Sequence, residues 1–413
     1  MSCESDIRAL LAHVDSREGE IGAWAWLDHA SALAQARALD AAPARGALHG
    51  MAIGVKDVID TADMPTEYNS PIYAGHRPAQ DAEVVRRLRT AGAIILGKTV
   101  TTEFAFMAPG RTRNPHDLSC TPGGSSSGSG AAVASGMVPV ALATQTGGST
   151  IRPAAFCGVI GYKPAFGRYP VAGLKHLSPS LDTIGLHASN LDDLARVSAV
   201  LAGDAGTAAA VTLLRPRIVL ARTHHDHEAE PQAIKRLEDA VAAMRRAGAE
   251  VREISLPALF ADIEPLHRVI MAKETAQMFV PEWANARQQL SNDLAAFITQ
   301  GLANTDTEVA AARLRVAEGR RMMDSLLADD ELLLMPPAAG EAPVGLASTG
   351  NAAFNRLWTM LGVPAITLPA GRGVRGLPLG VQLIAGHNAG SEARLLARAR
   401  WVQDALAEAG YGP

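Results

Sequence analysis

The sequence predicts an α/β fold in which helices cover both faces of a sheet. Short apolar runs typical of buried strands recur along the chain, and amphipathic helical segments separate them. Such alternation is typical of layered α/β proteins. By length alone, 413 residues would suggest two or three domains, but no internal repeat or low-complexity linker forces a boundary.

The first third of the chain already shows this alternation. Residues from about 5 to 43 are rich in alanine and leucine at helical spacing, and we interpret them, together with 21–27, as helices packed outside the sheet. A strand is predicted at 51–55, ending at Lys56, then a helix at 82–91 and a buried strand at 93–96.

Composition changes sharply between residues 120 and 153, where glycine, serine and threonine dominate. The stretch 131–143 interrupts this segment and suits a helix followed by a short strand. Loops this rich in glycine usually mean that the backbone comes close to another group. We therefore expect the chemistry of the protein to lie in this segment.

The rest of the chain is predicted to form helices with one strand-helix-strand unit, followed by further strands. The predicted elements are strands at 218–221 and 250–254 around a helix at 232–247, then strands at 332–335, 365–368 and 379–384, and a terminal helix at 391–409.

Charge and cysteine usage narrow the class of protein. The net charge is -4, so no basic surface is dictated and nucleic acid is not an expected partner. The three cysteines Cys3, Cys120 and Cys157 are scattered, which fits neither a disulfide framework nor a paired metal motif. The sequence begins without a signal-peptide pattern and has no apolar run of about 18 residues, so we expect a cytoplasmic protein without a membrane partner.

Two serine segments carry the candidate chemistry. The first is Gly123-Gly124-Ser125-Ser126-Ser127-Gly128, and the second is Gly147-Gly148-Ser149. A serine hydroxyl is a weak nucleophile until a base removes its proton, and no histidine-aspartate pattern stands out here. A buried lysine such as Lys56 can be that base, because desolvation lowers its pKa.

The glycines beside Ser149 indicate a second contribution. Cleavage of an amide passes through a tetrahedral oxyanion, which backbone N–H groups stabilise when they converge on it. The N–H groups of Thr146, Gly147 and Gly148, with that of Ser149 itself, are the candidates for this role.

These residues resemble the amidase signature family. The resemblance rests on Gly54-Val55-Lys56-Asp57, on the two serine segments, and on the stretches 156–164 and 376–384, and it is weakest from about 205 to 330. It implies one domain over 1–413 with a mixed sheet of about eleven strands. Within it we expect N-terminal helices at about 5–43, a catalytic core at 50–200, a variable helical region at 205–330 and a return to the sheet at 331–413.

The resemblance also implies residue roles. Ser149 matches the acylated serine, Lys56 the base, and Ser125 a bridging serine that follows a cis peptide bond. It implies hydrolysis of a linear amide with release of ammonia, a small-molecule amide as substrate, and no metal or organic cofactor. A homodimer is also implied.

One departure from the family pattern bears on the substrate. Most members carry an aspartate where this chain has Gln145, and an arginine two residues after the nucleophile, whereas here Arg152 is at the third position. These features, with the stretches 60–67, 346–350 and 355–359, resemble the bacterial malonamidases. That resemblance implies malonamate as substrate, with Arg152 binding its free carboxylate, because a guanidinium matches a carboxylate bidentately. Arg152 could instead be a structural arginine that holds the loop.

Alternative functions remain open. The chain could be an amidase for neutral or aryl amides, or the amidase subunit of a transfer-RNA-dependent amidotransferase that needs partner subunits, although it is shorter than that role leads us to expect. Residues 92–99 match the spacing of a nucleotide-binding phosphate loop, but their apolar run favours a buried strand. Residues 224–228 could bind a metal, although an exposed loop is favoured because no distant partner is evident. Cys157 lies in an apolar run and is expected to be an inert, packed thiol.

Overall fold

The computed structural model describes residues 2–44, 46–204, 215–388 and 390–412. Within these ranges eleven strands form a single sheet. They are β1 (Trp24–Leu27), β2 (Ala52–Lys56), β3 (Ile94–Thr99), β4 (Val140–Gln145), β5 (Ile160–Lys163), β6 (Thr183–Ala188), β7 (Arg217–Arg222), β8 (Glu250–Ser255), β9 (Glu331–Met335), β10 (Ala365–Arg372) and β11 (Pro378–Ile384). Their order across the sheet is β1-β3-β2-β4-β6-β5-β10-β11-β9-β7-β8.

The sheet is mixed, as expected. Strand β2 is parallel to β3 and β4, and β7 is parallel to β8 and β9, whereas the other neighbouring pairs are antiparallel. The prediction of one α/β domain built on a mixed sheet of eleven strands is therefore confirmed.

Helices flank this sheet. In the described ranges they are α1 (Cys3–Ile21), α2 (His29–Asp40), α3 (Glu83–Thr90), α4 (Ser127–Ala134), α5 (Ile151–Cys157), α6 (Leu191–Ala202), α7 (Pro231–Arg246), α8 (Ala258–Ile263), α9 (Leu266–Met278), α10 (Val280–Asn285), α11 (Asn292–Ala303), α12 (Asp306–Leu326), α13 (Ala353–Leu361) and α14 (Ser391–Glu408). None of these helices is both long and apolar enough to cross a bilayer.

The central strands are buried on both faces, whereas the edge strands β1 and β8 are partly exposed. In β9, Leu332 and Leu334 belong to one apolar cluster, whereas Leu333 and Met335 belong to another. Because successive side chains of a strand point to opposite faces, these clusters lie on opposite sides of the sheet. Because both faces are buried, the sequence of each central strand is a continuous apolar run rather than an alternation of apolar and polar residues.

The prediction of helix through residues 21–27 is wrong. Helix α1 ends at Ile21 because Gly22 adopts a left-handed conformation (φ 64°), which glycine tolerates without a Cβ clash. After Ala23, residues Trp24–Leu27 form the edge strand β1 against β3. Aromatic residues favour strands, and the pairing of β1 with β3 is irregular between buried Trp24 and partly exposed Trp26.

The other predicted elements lie where the sequence placed them, within a few residues. The strand-helix-strand unit at 218–254 is β7, α7 and β8. Residues 205–214 of the predicted variable region lie outside the described residues. The strand in 92–99 is β3, which is fully buried, so this segment offers no open loop to a phosphate.

Candidate active site

The sheet brings the predicted base and the serine segments together. Strands β2 and β4 are parallel neighbours, with Val55 opposite Leu142. Their carboxyl ends therefore meet at one edge of the sheet. Strand β2 ends there at Lys56, and β4 ends at Gln145, immediately before the glycine loop that carries Ser149.

Lys56 is fully buried and contacts hydroxyl groups. Its Nζ donates to Oγ of Ser125 and to Oγ1 of Thr144, each at 2.7 Å. Burial holds the pKa of Lys56 well below its usual range, and the negative charge of Asp182 opposes this shift only in part. Burial therefore favours the neutral amine of Lys56, which is the form that can accept a proton.

Ser125 links Lys56 to the first serine segment. Its hydroxyl accepts the lysine hydrogen bond, and it is 1% exposed. The peptide bond between Gly124 and Ser125 is cis, as the resemblance implies. The neighbouring Ser126 is part of the scaffold, since its hydroxyl contacts the backbone N–H and carbonyl of Thr144.

Ser149 and the residues before it line a cavity of about 430 Å³. The carbonyls of this loop are held away from it by hydrogen bonds. Thr146 O contacts His267 Nε2 at 2.7 Å, Gly147 O accepts from Thr359 Oγ1 at 2.7 Å, and Gly148 O accepts from the backbone N–H of Arg152 at 3.0 Å.

The backbone N–H groups of the loop are available to a ligand. Among the described residues, no protein acceptor lies within hydrogen-bond geometry of the N–H groups of 146–149. These four residues also line the cavity. A run of unpaired N–H groups beside a serine is the arrangement that an oxyanion requires.

Gln145 holds this loop in shape. Its Oε1 accepts from the N–H groups of Thr150 and Ile151, at 2.9 and 3.0 Å, and its Nε2 donates to Thr359 Oγ1 at 2.9 Å. The same hydroxyl donates to Gly147 O. An amide can accept and donate at once, whereas an ionised carboxylate only accepts, so glutamine suits this position.

Arg152 is a buried cation without an acidic partner. Its Nη2 donates to Gly124 O at 2.6 Å and to Thr349 Oγ1 at 3.2 Å, and its Nε is buried without a hydrogen bond. Within the part of the chain that the structure describes, no carboxylate lies within 4 Å of it. Burial, with a smaller effect of the Arg356 charge, lowers the pKa of Arg152 to about 9.

Nearly the whole chain is similar to a known family. Residues 6–396 match the family model described as Amidase. This chain belongs to the amidase family. It is 31% identical to a glutamyl-tRNA(Gln) amidotransferase subunit of Koribacter versatilis (strain Ellin345), over 95% of this chain and 93% of the relative. It is 33% identical to the corresponding subunit of Chloroflexus aggregans (strain MD-66 / DSM 9485), over 91% and 88%.

Solved structures agree with this assignment. The peptide amidase of Stenotrophomonas maltophilia superposes with a TM-score of 0.81 at 28% identity, covering 98% of this chain and 93% of that one. The family and these neighbours are amide hydrolases that act on carbon–nitrogen bonds. This member of the family is accordingly an amide hydrolase.

Several residues of this amidase site were not singled out as site residues from the sequence. They are Thr144 beside Lys56, His267 and Thr359 on the loop carbonyls, and Arg356 on the cavity wall. The stretch 355–359, which contributes to the resemblance, was the only signal for Arg356 and Thr359. Nothing local marks His267, which lies in a helix without a motif.

Two further expectations can be compared with the amidase structure. Cys157 is fully buried, which confirms a packed thiol, and burial raises its pKa far above its usual range, which disfavours the reactive thiolate. The segment 224–228 was expected to be an exposed loop without a distant partner. In the structure His224 and His225 are partly buried, and Glu264 lies beside them. The expectation that no distant residue joins this segment is therefore wrong.

Proposed function

We propose that this amidase hydrolyses a small amide whose acyl part carries a free carboxylate, through a Ser149–Ser125–Lys56 relay. In the first step Ser149 Oγ attacks the amide carbon, and its proton passes through Ser125 to neutral Lys56. The C–N bond then breaks, the relay returns a proton to the leaving nitrogen, and ammonia departs. Water attacks the resulting ester in the same way and releases the acid.

The burial of Lys56 supports its role as the base. A general base must be deprotonated at working pH and within hydrogen-bond reach of the proton it takes. Lys56 Nζ lies within this reach of Ser125 Oγ, at 2.7 Å, and its lowered pKa favours the deprotonated form that the role requires. In the proposed relay the nucleophile is Ser149, which lines the cavity.

The unpaired N–H groups of Thr146, Gly147 and Gly148 are the proposed oxyanion donors, together with that of Ser149. Their carbonyls are fixed by other groups, so the donors need no reorganisation when negative charge develops on the substrate oxygen. Loss of one such donor typically costs about 100- to 1,000-fold in rate.

Arg152 carries the assignment of the substrate class. A buried guanidinium without a counter-ion is costly, and a substrate carboxylate would compensate it. The other charged residues that line the cavity are Glu264, Arg268 and Arg356, and Glu264 is paired with Arg356 at 3.1 Å. Arg152 is therefore the buried cation of the wall that lacks an acidic partner, and its charge favours an anionic amide such as malonamate over a neutral one.

Ammonia release from malonamate and propionamide by the purified chain tests the proposal. We expect strong turnover of malonamate and little of propionamide, because only malonamate supplies a carboxylate for Arg152. Equal turnover, or a preference for propionamide, would retain the amide hydrolase and contradict the carboxylate specificity.

Arg152→Met should separate substrate specificity from chemistry. Loss of a buried charge partner costs roughly 2–5 kcal/mol, so kcat/KM for malonamate should fall by about 30-fold or more. The ratio of malonamate to propionamide turnover should fall with it, because the neutral amide does not use the guanidinium. Steady-state kinetics on both amides measure this ratio.

Arg268→Met is the matched control for Arg152→Met. Arg268 lines the same cavity, but its side chain contacts Gln300 and the ring of Phe297 at the surface. It should leave the ratio nearly unchanged. If Arg152→Met lowers both activities equally, the guanidinium acts only by holding Gly124 O and Thr349, as in the structural alternative.

The relatives named above favour a second candidate, an amidotransferase subunit that works with partner subunits. Their identity extends over nearly their whole length. This reading predicts that the isolated chain releases ammonia from neither amide and gains activity only when partner subunits are added. The same ammonia assay therefore distinguishes the two candidates.

A further inference from the structure

Three potential metal ligands meet beside the cavity, outside the proposed relay. His224 and His225 follow strand β7, and Glu264 follows helix α8. One ligand atom of each residue lies within 4.8 Å of the others. Two adjacent histidines and one carboxylate from a different element thus converge on a single point.

The histidines present unused nitrogens in this cluster. Nε2 of His224 and Nε2 of His225 are both buried, and neither has a hydrogen-bond partner in the described ranges of the chain. Nε2 of His225 is 3.6 Å from Glu264 Oε2, which is too long for a hydrogen bond. Buried polar atoms nearly always have a hydrogen-bond partner or another ligand. Two buried nitrogens without a partner, beside a carboxylate, therefore indicate a ligand site.

His225 is also oriented as a metal-binding histidine would be. Its Nδ1 lies 2.6 Å from Oε1 of Glu228, and Asn351 donates to the other oxygen of that carboxylate. A carboxylate on Nδ1 holds the proton there and leaves the lone pair of Nε2 free. Metal-binding histidines almost always have such a partner on the second ring nitrogen.

We propose that His224, His225 and Glu264 bind a divalent transition-metal ion, with Zn²⁺ the best fit. Two imidazole nitrogens and one carboxylate oxygen are a ligand set that Zn²⁺ uses, with water as the fourth ligand. Mg²⁺ and Ca²⁺ prefer oxygen ligands, so they fit this set poorly. Small side-chain rotations would bring the three atoms to bonding distances of about 2.0–2.2 Å.

The site connects to the cavity through Glu264. One oxygen of this carboxylate pairs with Arg356 at 3.1 Å, and the other faces His225. A bound ion would share the negative charge that now compensates Arg356. It would therefore make the cavity wall more positive and strengthen binding of anionic ligands.

Titration of the untagged, chelator-stripped chain with Zn²⁺ tests the proposal without any amide, so its result is independent of the proposed function. We expect one tight ion per chain. His225→Ala and Glu264→Gln should each weaken the affinity by about 100-fold, since each removes a direct ligand. His227→Ala is the matched control, because His227 is exposed in the same segment and outside the cluster, and it should retain full affinity.

Two further measurements distinguish the loss of a metal ligand from misfolding of a variant. Melting temperatures without metal should be similar for all variants, and added Zn²⁺ should raise that of the parent and of His227→Ala only. Co²⁺ added to the unmutated chain should give the visible absorption of a tetrahedral site. Tight Zn²⁺ binding that survives His225→Ala and Glu264→Gln together, or a parent chain that binds no ion tightly, would overturn the proposal.

Discussion

Ser149→Ala is expected to lower turnover of every amide substrate by about 10,000-fold or more, the scale seen when a nucleophilic serine is removed. Without the hydroxyl no ester can form, and the oxyanion donors alone leave only residual catalysis. Ammonia release measures the rate, and mass spectrometry of the chain during turnover measures the acyl adduct. The adduct should be present in the parent and absent from Ser149→Ala.

Ser127→Ala is the matched control for this result. Ser127 belongs to the same serine-rich part of the chain, but its hydroxyl donates to the carbonyl of Val100 at 3.3 Å rather than joining Lys56. It should retain most of the parent rate. Normal turnover by Ser149→Ala would contradict the assignment of Ser149 as the nucleophile.

Lys56→Met should lower kcat/KM by about 100- to 10,000-fold, the usual contribution of a general base. In the parent, kcat/KM should fall as pH falls through the lowered pKa of Lys56, because a protonated lysine cannot accept the serine proton. The pH–rate profile of the parent measures this loss. A rate that stays flat well below neutral pH would contradict the role of Lys56.

The same variant has an expected effect on stability. Between the lowered pKa of native Lys56 and about 10.4 in the unfolded chain, the unfolded state binds a proton that the native state does not. The contribution of Lys56 to the free energy of unfolding therefore rises with pH across this window. Methionine has no such contribution, so the stability of Lys56→Met relative to the parent should be greatest below the lowered pKa of Lys56 and should decline as pH rises towards 10. Urea unfolding at several pH values measures the difference.

Lys163→Met separates the loss of the base from the loss of any buried lysine. Lys163 is also fully buried, and burial lowers its pKa to about 7. Its Nζ donates to the carbonyls of Pro164 and Val363 instead of to a serine. Lys163→Met should therefore keep a near-parent rate, and an equal loss in both variants would point to general disruption of the fold.

Local patterns were sufficient for most of the fold. The strand ending at Lys56 and the glycine-rich loop at Ser149 were predictable. A buried strand and a loop of small residues can each be recognised from the composition of a few consecutive residues. The strand at 24–27 was missed because the alanines and leucine around Trp24 and Trp26 suit either structure. Only the glycine before them, and the pairing with β3, decide between the two.

The site was less completely predictable, because its supports come from remote parts of the chain. Nothing in the sequence near Ser149 shows that His267 and Thr359 will hold the loop carbonyls. The cluster of Glu264 with two histidines likewise depends on the fold, which brings the residue after α8 beside the residues after β7. The cytoplasmic location and the homodimer stay predictions, since neither rests on a feature of the described chain.

The anchoring of the nucleophile loop has a consequence for biosynthesis. The groups that fix the carbonyls of Thr146 and Gly147 are made 121 and 212 residues later in translation. A ribosome-bound chain that has already exposed its serines thus lacks the supports that shape the loop. Hydrolytic competence should therefore arise late, when the last part of the chain folds back onto the sheet, and a partly synthesised chain should be inert towards amides in its surroundings.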